Sequence, residues 1–139
     1  MERIKDKIKE IESYLLELEE IMPKNFEDYK HIKTKAACER YFEKIIEGIT
    51  DLTFLIIKDG RLEIPSDDKG AFDILSKEKI ISEKLANKLK EAKGMRNILA
   101  HKYGETDDEI VFHSITEEIQ KDANEFIKEI KKMMSTNKV

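Results

Sequence analysis

Apolar residues recur every three or four positions along most of this chain, a period that suits helices and leaves no room for alternating strands. The first segment shows it most plainly. Met1, Ile4, Ile8, Ile11, Leu15, Leu18 and Met22 form one apolar stripe between charged faces. Pro23 ends that helix, because the residue before a proline is pushed out of helical geometry. Only five glycines and two prolines occur in 139 residues, and both prolines lie between periodic segments. Such scarcity of turn residues favours an all-α chain over a sheet protein.

A second, longer helix is expected from an Asn25 cap, with Glu27 and Asp28 in its first turn, to Lys58-Asp59-Gly60. Gly60 is expected to take the left-handed cap conformation. Residues 61–70 read as a loop, and a short helical stretch should run from about Ala71 to Leu75. Ser82 is a good N-cap for the next helix, which carries Leu85, Leu89, Ala92 or Lys93, Arg96 and Leu99 at helical steps and should end at Gly104. Thr106-Asp107-Asp108-Glu109 matches a capping box ahead of a final helix bearing Val111, Ile115, Ile119, Ala123, Phe126, Ile130 and Met133. Four principal helices with mostly short connections predict an antiparallel bundle of four to five helices, one domain over residues 1–139.

Charged residues make up 40% of the chain and the net charge is −4. That excludes a general nucleic-acid coat, so any RNA site must be a local basic patch. A single cysteine, Cys38, excludes an intrachain disulfide and fits a reducing cytosol. The N-terminus lacks the apolar core of a signal peptide and no run approaches membrane-spanning length, so a soluble cytoplasmic protein is expected, with no membrane partner. His31 and His113 stand apart from any grouped ligands, and neither a metal nor another cofactor is expected. Phe26, Tyr29, Tyr41, Phe42 and Phe126 fit core or dimer-face packing, and Cys38 fits a small apolar core position.

Chemistry concentrates in Arg96-Asn97-Ile98-Leu99-Ala100-His101-Lys102-Tyr103. Arg96 keeps its charge at any physiological pH and can hold a phosphate through paired hydrogen bonds. His101 titrates near neutrality and can move protons. Asn97 can orient the phosphate or the imidazole, and Tyr103 can donate a hydrogen bond or stack on a base. On RNA, the 2′-hydroxyl beside each phosphodiester is an internal nucleophile. A protein need only accept its proton, neutralise the phosphorane and protonate the leaving oxygen. The spacing has alternatives. Arg96 and His101 leave a regular helix about 140° apart. Convergence therefore needs the reach of arginine, an unwound helix near His101, or a cleft shared with a second chain. One histidine also serves poorly as both acid and base, which motivates a homodimer. A purely structural reading stands beside these: arginine and histidine near a helix end often just satisfy its last carbonyls.

Other groups rank lower. The basic run Lys84, Lys88, Lys90 and Lys93 reads as a solvated helix face that could also attract RNA. Glu43 and Glu47 stand one helical turn apart and read as surface pairs. Arg40 with either one could form a salt-bridge network that orients Arg96.

The motif Arg96-x-x-x-x-His101-x-Tyr103, with polar Asn97 after the arginine, resembles that of HepT-like toxins, a branch of the HEPN superfamily. Glu39-Arg40 and Glu47, the Pro65 loop leading to Phe72-Asp73-Ile74-Leu75, Ile80-Ile81-Ser82, and the approach from Leu89 through Gly94-Met95 extend the likeness over most of the chain. The resemblance implies a HEPN-like bundle and a metal-independent endoribonuclease acting as a homodimer, with Arg96 and His101 catalytic at the shared cleft. It implies a nucleotidyltransferase antitoxin of the MNT type as partner and Tyr103 as the acceptor of AMP; Lys102, in the variable position, could help attract RNA or belong to a solvated face. A non-catalytic HEPN module that binds a nucleotide or docks a nucleotidyltransferase is the alternative.

Overall fold

The computed structural model describes residues 2–101 and 107–137 and is helical in nearly every element. Helix α1, Glu2–Ile21, buries Ile4, Ile8, Ile11, Leu15 and Leu18, the stripe its period predicts. It packs on α3, Ile32–Asp59, in antiparallel fashion. Lys7 lies 3.7 Å from Asp51 at one end of the pair, and the Tyr41 hydroxyl donates to Glu17 at 2.9 Å toward the other. Between them the backbones approach closely at Gly48, where an added Cβ would stand 2.8 Å from Ile11 Cγ1.

The expected second helix is interrupted. Asn25 does cap a helix, accepting the Asp28 N–H at 2.9 Å, but that helix, α2, is only Phe26–Tyr29. The chain turns at Lys30 and His31 before α3 begins, and His31 is extended with no side-chain cap. The turn lets Tyr29 drop fully into the core beside Phe26 and Phe112. No glycine or proline marks this break, so the apolar period runs across it unchanged.

Gly60 closes α3 in right-handed geometry, with φ −82°. The left-handed residue is Arg61, φ 53°, a correction to the expectation for glycine. Leu62 N–H bonds the Ile57 carbonyl at 2.9 Å and Arg61 N–H the Lys58 carbonyl at 3.2 Å, the paired closure of a Schellman motif. Helix α4, Asp68–Lys77, is longer than expected because Asp67 caps it, accepting the Gly70 N–H at 2.7 Å. It ends in the same way, with Lys79 at φ 61° and the Ile80 N–H on the Leu75 carbonyl.

Ser82 caps α5, Glu83–His101, as predicted, accepting the Leu85 N–H at 3.0 Å. Gly104 and Thr106 lie outside the described residues. The cap of α6, Asp108–His113, is Asp107, whose carboxylate accepts from the Glu109 and Ile110 N–H groups. The capping box expected to start at Thr106 lies partly outside the described residues. The final helix is also not uniform. Ser114–Glu118 forms a π-helical turn between α6 and α7, Ile119–Asn137. The architecture is therefore an all-α antiparallel bundle, with α2 and α6 as short covering pieces.

Tyr29, Phe42, Phe72 and Phe126 are its largest fully buried side chains, while Phe26 and Tyr41 pack partly buried against the same core. Cys38 is fully buried, and desolvation pushes its thiol up to about 11, so it behaves as a small apolar group. Among the described residues no helix is long and apolar enough to cross a membrane.

Candidate functional site

The last two turns of α5 carry the motif, and they are thinly packed. After Leu89 the helix buries only Lys93 and Leu99, leaving Met95, Arg96 and Asn97 half-buried and Ile98, Ala100 and His101 exposed. Arg96 turns onto α3. Its Nη2 donates to Glu47 Oε1 at 2.5 Å, a charge-assisted bond between residues 49 positions apart in sequence. The Arg96 side chain is 21% exposed, and its Nε is buried without a hydrogen-bond partner. Glu47 thus fixes one edge of the fork and leaves the side chain open to solvent on another. The planar group keeps enough donors to take a second oxyanion beside Glu47.

The salt-bridge network around Arg40 resolves into two separate pairs. Arg40 meets Glu43 at 3.6 Å on its own helix, while Glu47 serves Arg96. Sequence reasoning had both carboxylates in hand, but only the packing of α5 on α3 selects Glu47.

His101 is exposed on the final turn of α5. The helix remains α-helical through that residue, so unwinding between Arg96 and His101 is not how this chain aligns them. Their directions diverge by about 140° within one protomer. Reach of the arginine, or a second chain completing the cleft, remains. Lys102 and Tyr103 lie outside the described residues.

The basic run does not form a free cationic stripe. Lys90 pairs with Asp73 at 2.7 Å, Lys93 with Asp68 at 3.0 Å, and Lys88 reaches Glu118 at 3.9 Å. Lys93 is even buried, at 8% exposure. Lys84 stays exposed. Acidic residues from α4 and the π turn therefore absorb the charge that spacing alone assigned to solvent. His31 is exposed at the start of α3, and His113 Nδ1 lies 3.0 Å from Glu117, one turn away. Among the described residues, no three His, Cys, Asp or Glu side chains gather as metal ligands.

Comparisons with known proteins bear on the family. The family model for HepT-like proteins, described as ribonuclease HepT-like, matches residues 4–130. A protein of Archaeoglobus fulgidus named as a proposed RNase is 34% identical over 111 residues, 76% of this chain and 82% of its own length. The mRNA nuclease HepT of Shewanella oneidensis is 30% identical over 89 residues, 64% of this chain and 66% of its own. Among solved structures, a tri-AMPylated HEPN toxin from Shewanella oneidensis, in complex with MNT antitoxin, superposes with a TM-score of 0.87. It is 24% identical, over 93% of this chain and 96% of that one. The structural likeness establishes a shared fold and the family match covers nearly the whole chain: the protein belongs to the ribonuclease HepT-like family.

Proposed function

We propose that this protein is a metal-independent endoribonuclease toxin of a HEPN/MNT pair, acting in the cytoplasm as a homodimer. The observation that carries the reading is Arg96. A guanidinium held by Glu47 at the surface, five residues before an exposed His101, sits in a chain of the HepT-like family. In the reaction, His101 accepts the proton of a ribose 2′-hydroxyl, whose oxygen attacks the adjacent phosphorus. Arg96 donates hydrogen bonds to the phosphorane oxygens as their charge grows, which lowers the barrier because the donors are already oriented. The bond from phosphorus to the 5′-oxygen breaks, and a second imidazole, from the other copy, protonates the leaving oxygen. The products are a 2′,3′-cyclic phosphate and a 5′-hydroxyl. Asn97 supports the phosphate, Lys102 contacts the RNA, and Glu47 positions Arg96 without touching substrate.

Control by the antitoxin is proposed from the motif's chemistry. The Tyr103 phenol oxygen attacks the α-phosphorus of ATP held by an MNT-type nucleotidyltransferase, pyrophosphate leaves, and AMP remains on the tyrosine. The added bulk and negative phosphate occupy the space that the substrate phosphate needs near Arg96.

Incubation of the purified protein with total RNA in chelator tests the reading. Cleavage to cyclic-phosphate ends is expected, falling by about 10²–10⁴-fold in His101→Ala. Mass spectrometry after exposure to the partner and ATP should place AMP on the Tyr103 peptide. Loss of cleavage in chelator, or full activity in both Arg96→Ala and His101→Ala, overturns the nuclease assignment. AMP on another peptide overturns the assignment to Tyr103.

A further inference from the structure

Between α5, the π turn and the start of α7 lies a cavity of about 190 Å³, whose described lining includes neither Arg96 nor His101. Phe42, Ala92, Met95 and Ile119 give it apolar walls, and Ile110, 57% exposed, stands at its opening. Asp122 also lines it and is only 7% exposed. Among the described residues no hydrogen bond or ion pair reaches the Asp122 carboxylate. Lys88 lines the same cavity and its charge acts on Asp122 from a distance, but its ion-pair contact is with Glu118 at 3.9 Å, whose other oxygen accepts the Ser114 hydroxyl at 2.8 Å. With Glu91 on the same wall, carboxylates outnumber ammonium groups in this space.

The π turn builds this arrangement. In a regular α-helix Ile119 would point about 140° away from Ser114. Here the Ile119 N–H bonds the Ser114 carbonyl, closing the ring at five residues, so Ser114, Glu118, Ile119 and Asp122 share one side. Burial raises the Asp122 pKa, with Glu118 and Glu125 adding to the effect and Lys88 and Lys121 opposing it. A desolvated carboxylate without a partner costs stability that an apolar residue would not.

We propose that this cavity binds an alkylammonium or alkylguanidinium group, its charge pairing with Asp122 and its carbon stem lying along Phe42, Met95 and Ile119. The space is smaller than the roughly 300–1,000 Å³ of usual small-molecule pockets, so it holds one cationic chain. That chain is either a short free amine or a lysine or arginine side chain carried by a protein partner. The proposal stands apart from the nuclease reading.

The test is an NMR titration of the full chain at about pH 8, well above the ordinary carboxylate range. The probes are n-pentylamine, 1-pentanol as its neutral counterpart, and Nα-acetyl-lysine methylamide as a chain-borne lysine. Saturable shifts are expected at the Met95, Ile110 and Ile119 methyl groups with both amines, and at least about tenfold weaker binding of pentanol. Asp122→Asn should weaken the amines by at least about tenfold. Tighter binding of the lysine amide assigns the site to a partner's side chain, and tighter binding of pentylamine to a free amine. The variant should fold. Because the folded pKa is raised, the charged form destabilises the native state at neutral and higher pH. Asp122→Asn should therefore melt above wild type there, with the advantage shrinking as acid protonates the carboxyl. Equal binding of pentanol, unchanged amine binding in Asp122→Asn, no saturable shift, or a variant less stable than wild type at pH 8 each overturns the proposal.

Discussion

From Ile4 to Leu18, α1 buries a residue at every third or fourth position, none more than 4% exposed. From Leu89 to Leu99, α5 buries only one residue between the two ends, and that residue is Lys93. Both are helices of one bundle, but different forces hold them. Apolar burial at roughly 25 cal/mol per Å² secures α1 against α3. Along α5, Leu85, Ala86, Leu89 and Leu99 are buried too, but between Leu89 and Leu99 ion pairs take a larger share of the contacts: Lys90 with Asp73, Lys93 with Asp68, Arg96 with Glu47. A helix anchored this way contributes less to stability but keeps charged groups oriented at a surface. The motif sits where packing is sparse, and the core lies elsewhere.

The contrast can be broken most directly at Ile11, fully buried where α1 meets Gly48. Ile11→Ala removes a stiff side chain from a contact whose backbones are already close, so the cavity cannot easily collapse. A loss of about 2–5 kcal/mol is expected in urea unfolding, with RNA cleavage per folded molecule unchanged. A loss below about 1 kcal/mol would mean that this contact is not the stabilising half of the molecule.

A finer test addresses the ion-paired half. Lys93 is buried while the side chain of its partner Asp68 is 43% exposed. Removing only the acid strands a desolvated ammonium, so Asp68→Asn should cost about 1–3 kcal/mol, less than a fully buried pair because water reaches Asp68. Lys93→Met removes the charge but keeps the stem's volume, and should stay within about 1 kcal/mol of wild type. If Lys93→Met proves the more damaging change, the pair adds net stability through its charge, and anchoring by ion pairs is not the weaker of the two modes.

These regions also differ in how well the sequence discloses them. The α1 stripe is readable because burial there is periodic and one-sided. The Asn25 and Ser82 caps are readable because a short polar side chain before an apolar run has few other uses. The break at Lys30 and His31 leaves no such mark, since nothing there forbids a helix and only the burial of Tyr29 calls for the turn. The π turn is hidden for a related reason: Ser114–Glu118 suits an α-helix equally well, and no residue type marks the shift to five-residue closure. In the site, residue types pick out Arg96 and His101, but the choice of Glu47 over Glu43 depends on how two helices cross. The basic run misleads for the same reason, because the acids that neutralise it come from α4 and the π turn.

The smallest effect concerns the two helix ends that lack glycine. Arg61 at φ 53° and Lys79 at φ 61° occupy the left-handed region, where a Cβ crowds the following carbonyl. Each helix still closes with both hydrogen bonds of the motif, and the residue after each, Leu62 and Ile80, packs partly buried against the core. Tertiary contact therefore holds the conformation, and the side chain at the turn opposes it. Arg61→Gly and Lys79→Gly relieve that strain while giving the unfolded chain more freedom, so the two terms partly cancel. The steric relief of about 1–2 kcal/mol is the larger. Each variant should gain about 0.5–1 kcal/mol in urea unfolding, and the double variant should gain their sum because the sites share no partner. A loss at either position would show that the basic side chain, and not the packing of the next residue, holds that turn.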